Sequence, residues 1–259
     1  MDDKTLERAG DALYEAWLSR HVMPPLSASM PELTIDDAYQ IQKRMVARRI
    51  AEGESIIGKK IGVTSKAVQQ MLNVHQPDFG VLLSGMQYDD GSAIPMSSLI
   101  QPRAEGEIAF FLKEDLRGPG VTPEQVMAAT KEVAACFEIV DSRIRDWNIR
   151  IQDTVADNAS CGVFVLGQER VSPQSVDLEL CGMVIEKNGE VVATGAGAAA
   201  LGHPSQAVAW LANELGARGI ALKAGEPILS GSLAPLIPVV AGDSLRVRIA
   251  GIGSCNVSF

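Results

Sequence analysis

The chain has 259 residues, 46% of them apolar, and a formal charge of −9. That length and apolar share support one large core, or one core with a small helical lobe. The acidic balance argues against nucleic-acid or anionic-membrane partners, because such a surface repels phosphate.

No apolar run approaches the ~20 residues a membrane-crossing helix needs. The opening MDDKTLERAG has no basic n-region and no apolar h-region, so a cytoplasmic protein is expected. Cys136, Cys161, Cys181 and Cys255 are far apart with no C-x-x-C pair, which argues for reduced thiols over a disulfide framework or a zinc site. The three histidines are too few for a His-rich centre. Any metal must then be held mainly by carboxylates, which favours Mg²⁺ or Mn²⁺.

In chain order, Leu6, Ala9, Leu13 and Trp17 have helical spacing and predict a helix over 4–20, ended by Pro24 and Pro25. Thr34 and Asp37 suggest a capping box ahead of a stripe of Ile35, Ala38, Ile41 and Met45, with Gly53 as the stop. From about residue 55 the pattern becomes strand-like. SIIGKKIGVTS, RAEGEIAFFL, CFEIVDSR and SCGVFVLG read as strands, the last after a polar loop over 152–162. A short helix is expected over 123–133. CGMVIEKNGEVVATG reads as a hairpin turning at Asn188-Gly189. Pro204 opens a helix bearing Val208, Leu211 and Leu215, and PILSGS, SLRVRI and SCNVSF close the chain as strands. Hairpins outnumber β-α-β units. The expected fold is therefore α+β: a helical region over 1–54 and a mixed, mostly antiparallel, rolled sheet over 55–259, forming one continuous unit.

The chemistry-bearing residues lie mainly on those strands. Glu105 and Glu107 are two apart, so both project from one face of a strand. Glu138 lies in a second apolar strand. Three carboxylates on neighbouring strands could cage a hard cation, although an E-x-E on a solvated sheet face is also common. Lys60, beside a glycine turn, could place a cation against a carboxylate substrate, or be a surface lysine. Asp78, between Pro77 and Phe79, could be a desolvated acid or base, or a turn aspartate. Ser160 and neighbouring N–H groups could bind a carboxylate or enolate oxygen, or belong to a structural loop. Cys161 has no histidine near it in sequence and reads as a packed thiol. Gly53 to Lys59 fits most of a phosphate-binding loop, but Lys60 stands where Ser or Thr would bind Mg²⁺. GAGAAA at 195–200 follows a hairpin and does not open a β-α-β unit, so neither glycine pattern is assigned a nucleotide.

The order GKKIGVTS, HQPDFG, QPRAEGEIAF, FEIVDSRI, DNASCG, LGHP and GDSLRVRIAGIGS, spanning nearly the whole chain, resembles the hydratase and decarboxylase branch of the fumarylacetoacetate hydrolase superfamily. RAEGEIAF and IQDTVADNASCG are most similar to the 2-hydroxypenta-2,4-dienoate hydratases of bacterial meta-cleavage pathways for aromatic compounds. The resemblance implies the superfamily's β-roll with an N-terminal helical part. It implies metal ligands at Glu105, Glu107 and Glu138, active-site roles for Lys60 and Asp78, and Ser160 close to substrate. It also implies a homo-oligomer, with a complex with a pathway decarboxylase or aldolase as a further expectation. Two other readings share these motifs: a 2-oxo-3-hexenedioate (4-oxalocrotonate) decarboxylase, and a non-catalytic partner subunit.

Overall fold

The computed structural model describes the backbone of residues 1–259 and every side chain except those of residues 67 and 71. The N-terminal part holds three helices, α1 (Asp3–Ser19), α2 (Leu26–Ser29) and α3 (Ile35–Ala51). The Thr34–Asp37 capping box forms as expected: the Thr34 hydroxyl oxygen accepts the Asp37 N–H, and the Asp37 carboxylate accepts the Thr34 N–H. Gly10 lets α1 lie against α3, since a Cβ there would stand 2.6 Å from Arg44 Cβ.

The remaining elements are β1 (Ile56–Gly62), α4 (Lys66–Met71), β2 (Asp78–Leu83), β3 (Gln87–Tyr88), β4 (Pro102–Leu112), α5 (Pro123–Ala129), β5 (Thr130–Asp141), α6 (Ile151–Ala156), β6 (Cys161–Leu166), β7 (Gly182–Lys187), β8 (Glu190–Ala196), α7 (Pro204–Ala217), β9 (Pro227–Leu229), β10 (Ile237–Pro238), β11 (Ser244–Ile249) and β12 (Gly253–Ser258). The large sheet runs β2-β1-β9-β4-β5-β6-β3, with β10 also on β4, and the small sheet runs β12-β11-β7-β8. Among the strands of the described residues, β1–β9 and β3–β6 are the parallel pairs. This is the mixed, mostly antiparallel α+β fold expected.

Apolar residues at alternate positions of β4, Ala104, Ile108 and Phe110, are fully buried. Gly106 on the same face is where the sheets come closest: a Cβ there would stand 2.8 Å from Met183 Sδ and 2.9 Å from Ile185 Cδ1 of the small sheet. The main core lies between the sheets and continues into α1 and α3. A second apolar cluster, including Val46, Leu82, Met86, Ala109, Cys136, Cys161, Phe164 and Leu229, lies on the other face of the large sheet. Cys161 is a packed thiol there, as its sequence context suggested.

The β7–β8 turn places both Asn188 (φ 55°) and Gly189 (φ 86°) in the left-handed region, the geometry a type I′ turn requires. Two expected boundaries change. The helix predicted over 123–133 stops at Ala129, and residues from Thr130 onward pair with β4, because sheet pairing of Thr130 and Val133 overrides local helical tendency. The polar stretch at 152–162 is not simply a loop. It holds α6, and Asp153 satisfies the Arg150 N–H at the helix start.

Candidate metal centre and active site

Residues directly opposite in a sheet share a face, so the register assembles the site. Glu105 lies opposite Glu138, and Glu107 opposite Cys136, across β4 and β5. Ala109 pairs with Leu229 of β9, and Leu229 pairs with Lys60 of β1. Lys60 pairs with Gly80 and Gly62 with Asp78 across β1 and β2. Glu105, Glu107, Glu138, Lys60 and Asp78 therefore project from one face of four strands, above the second apolar cluster. That face is not solvated. Glu107 and Glu138 are 0% exposed, Asp78 and Lys60 are each 2% exposed, and Glu105 is half-buried. Asp78 is the first residue of a buried strand, not an exposed turn aspartate.

One oxygen from each of Glu105, Glu107 and Glu138 lies within 4.8 Å of the others. Glu107 Oε2 accepts the Gly231 N–H at 2.7 Å. Lys60 Nζ lies 3.1 Å from Glu138 Oε1, without hydrogen-bond alignment, and donates to Ala159 O at 2.9 Å. Among the described residues, six buried side-chain oxygens have no hydrogen-bond partner. Five belong to Asp78, Glu107 and Glu138, and the sixth is Ser230 Oγ. Buried polar atoms are ordinarily paired, so five orphans in one cluster point to something the protein itself does not supply.

The electrostatics agree. Four carboxylates face one ammonium. Burial, reinforced by Glu138, pushes Glu105 up to about 8. Burial, then Glu138 and Glu105, holds Glu107 well above the ordinary carboxylate value, and burial raises Glu138 against the pull of Lys60. Burial also raises Asp78, opposed by Lys60. Burial disfavours the Lys60 charge, but Glu138, Asp78 and Glu105 outweigh it and lift the ammonium above its usual value. A divalent cation among the three glutamates would relieve this repulsion. An all-oxygen donor set with unsatisfied lone pairs fits Mg²⁺ or Mn²⁺.

Ser160 sits in a left-handed turn, with φ of 55°, 51° and 53° at Asn158, Ala159 and Ser160. Its hydroxyl lies 3.1 Å from Thr154 Oγ1, and its N–H is donated to Asp157 O at 3.0 Å. Of the oxyanion donors expected here, the Ser160 N–H is used within the turn, and the hydroxyl can face a ligand only where Thr154 is the donor of the pair. Sequence reasoning missed Gly231, Ala159 and Asn158, and also Gly62, where a Cβ would collide with Asp78 Oδ1 and stand 3.3 Å from Lys60 Nζ. The glycine in GKKIGVTS was the available signal. Also missed was the buried Arg143–Asp157 pair, in which Arg143 further donates to Asp141 O and Cys161 O.

The fumarylacetoacetate (FAA) hydrolase C-terminal family model matches residues 59–259, from β1 to the end of the chain. The chain belongs to the fumarylacetoacetate hydrolase family. Within that family it is 59% identical over 260 residues to a 2-hydroxyhexa-2,4-dienoate hydratase of Comamonas testosteroni, covering 100% of this chain and 98% of the relative. It is 62% identical over 222 residues to a 2-hydroxypent-2,4-dienoate hydratase of Pseudomonas putida, covering 85% and 100%. Among solved members, 4-oxalocrotonate decarboxylase from Pseudomonas putida G7, complexed with magnesium and adipate, superposes with a TM-score of 0.97 at 38% identity, covering 100% of this chain and 98% of the other. No helix among the described residues is long and apolar enough to cross a membrane.

Proposed function

We propose that this chain is a divalent-metal-dependent hydratase. It adds water to 2-hydroxypenta-2,4-dienoate to give 4-hydroxy-2-oxopentanoate, in the meta-cleavage catabolism of aromatic compounds. The observation that carries the reading is the buried cluster of Glu105, Glu107 and Glu138 beside Lys60 and Asp78, in a chain 59–62% identical to dienoate hydratases.

Glu105, Glu107 and Glu138 would hold Mg²⁺ or Mn²⁺. When bound, the ion supplies Lewis-acid polarisation of the carboxylate and 2-oxygen end of the substrate, the electron sink the reaction needs. The dienol first ketonises by gaining a proton at C5, giving the 2-oxo-3-enoate. Water then adds at C4, and C3 takes a proton. Asp78 is the base that receives the proton of the attacking water. Both its oxygens are buried and free of hydrogen bonds, and burial raises its basicity. Lys60 is held cationic and lies beside Glu138, so it can orient the substrate carboxylate and offset charge developing on the 2-oxygen. The Ser160 hydroxyl offers a further donor to substrate.

A second reading, 4-oxalocrotonate decarboxylase, is favoured by the full-length likeness to that enzyme at a TM-score of 0.97. It ranks below the hydratase because the identity is 38% against 59–62%. Both reactions use the same electron sink, and only the decarboxylase breaks the C–C bond that releases CO₂. A panel of 2-hydroxypenta-2,4-dienoate and 2-oxo-3-hexenedioate, read by product mass and CO₂, separates them. We further place the protein in the cytoplasm, as a homo-oligomer that can associate with the decarboxylase or aldolase of its pathway.

A further inference from the structure

Lys60 ends in a flexible four-carbon stem, yet its ammonium is confined inside the protein. A buried ammonium has three N–H groups to satisfy. Its one described neutral partner is Ala159 O, at 2.9 Å. Residues 158–160 are all in the left-handed region, and none is glycine. Consecutive left-handed L-residues are unfavourable, and such conformations persist only where the surroundings over-determine them.

Three sets of contacts do so here. Below the turn, Asp157 accepts from the Arg143 side chain and N–H and from the Ser142 hydroxyl. At its far end, the Ser160 and Thr154 hydroxyls meet. On the side facing the site, the Asn158 amide behaves as an extra strand residue: Oδ1 accepts the Val81 N–H at 2.9 Å, and Nδ2 donates to Val81 O at 2.9 Å. Among the described residues, this last contact is the one that ties the turn by hydrogen bonds to β2, the strand that begins with Asp78. Gly80 beside it leaves room: a Cβ there would stand 2.5 Å from Asn158 O and 3.1 Å from Lys60 Cδ. The turn and the lysine stem thus share one gap over β2.

We propose that Asn158 is a positioning residue for the proposed reaction: by pinning the left-handed turn to Val81, it holds the Ala159 carbonyl on the Lys60 ammonium and keeps that ammonium beside Glu138. The role of Lys60 in turnover rests on the hydratase reading, whereas the positioning itself does not. Asn158 touches no reacting atom, and the three glutamates come from β4 and β5, outside the turn.

The test is Asn158→Gly, which removes both hydrogen bonds while keeping the left-handed φ accessible. Three measurements are made on the full-length, metal-loaded protein. The first is steady-state hydration of 2-hydroxypenta-2,4-dienoate, for Asn158→Gly alone and combined with Lys60→Ala. The second is Mg²⁺ affinity by calorimetry. The third needs no substrate: the rate at which acetic anhydride labels Lys60, read by mass spectrometry against exposed Lys131.

The expected result is a kcat lower by about 10²-fold, the scale of a reacting group displaced by about an ångström, with KM changed far less. Mg²⁺ affinity should stay within about threefold, and Lys60 should be labelled at least tenfold faster. In the Lys60→Ala background the Asn158→Gly change should cost almost nothing further, because both act through one group. If Asn158→Gly does not fold, Asn158→Asp takes its place. It keeps the acceptor for the Val81 N–H but turns a second carboxylate oxygen toward Val81 O, and the same pattern is expected. Unchanged kcat and labelling in a folded variant would overturn the proposal, as would losses that multiply with those of Lys60→Ala. A wild-type chain that leaves the dienoate untouched overturns the hydratase reading instead, and the Lys60 labelling rate still decides the positioning.

Discussion

Glu105 illustrates how much a single position can and cannot reveal. The E-x-E spacing places Glu105 and Glu107 on one strand face, and the structure has them there. Spacing alone leaves a solvated face open, and only burial of Glu107 and Glu138 at 0% exposure decides against it. If these carboxylates hold the metal, Glu105→Gln removes a ligand charge while keeping its shape. Turnover should fall by about 10³-fold or more, the equivalent of several kcal/mol of lost Lewis-acid stabilisation at about 1.4 kcal/mol per decade. The melting temperature of the metal-free variant should not drop, because a raised carboxylate has been neutralised. Steady-state assays and thermal melts check this, and near-normal activity would refute the ligand role. Gly62 gives a second test at this scale. It lies in an ordinary strand conformation, so Gly62→Ala strains no backbone, but its methyl enters the space held by Asp78 and Lys60. The variant should melt near wild type and lose about 10²-fold in kcat, as a displaced reacting group does.

The elements were largely legible and their assembly was not. Alternation, the Asn188-Gly189 turn and the Thr34–Asp37 cap marked most strands and helices from local residues alone. The misplaced ends were those where distant partners decide: Thr130 leaves α5 for a strand because β4 pairs with it, and the polar stretch at 152–162 folds into a helix whose Asp153 accepts from Ser27 and whose following Asp157 accepts from Arg143. Likewise, nothing near Lys60 in sequence says that it shares a face with Glu107. That follows from β9, about 170 residues later, inserting between β1 and β4 with Leu229 opposite both Lys60 and Ala109. Gly231, the turn at 158–160 and the Arg143–Asp157 pair were hidden for the same reason. Leu229 therefore matters to both packing and site. Leu229→Ala should cost about 2–5 kcal/mol of stability, as a fully buried leucine does, measured as a lowered denaturant midpoint with an unchanged m-value. A loss under 0.5 kcal/mol would mean that β9 does not fix the sheet as described.

For the molecule as a whole, the site is a destabilising load that a cation would lift. Glu105, with its pKa pushed up to about 8 from an ordinary 4.5, binds a proton in the folded metal-free state that the unfolded chain has released. A group raised on folding contributes stability that is fully present below its unfolded pKa and is lost as pH rises through the folded value. The metal-free protein should accordingly weaken from about pH 4.5 to about pH 8. Metal binding at this cluster would expel the same proton and stabilise the fold by mass action, about 2.7 kcal/mol at a hundred times Kd. The Mg²⁺-induced rise in melting temperature should therefore grow across that window. A rise that is constant or shrinks with pH would contradict the assignment. The chain's −9 charge and the family resemblance were both available from the sequence, but this load was not, since it arises only when four strands bring the carboxylates together.

One assay decides whether this cluster makes the chain a metal-dependent hydratase. EDTA-treated protein is mixed with freshly generated 2-hydroxypenta-2,4-dienoate, with and without Mg²⁺ or Mn²⁺, and the dienoate absorbance is followed with the product identified by mass. Absorbance should be lost only when metal is restored, and the product should have gained one water. An untouched dienoate in the presence of metal, or loss that EDTA does not prevent, would contradict that reading.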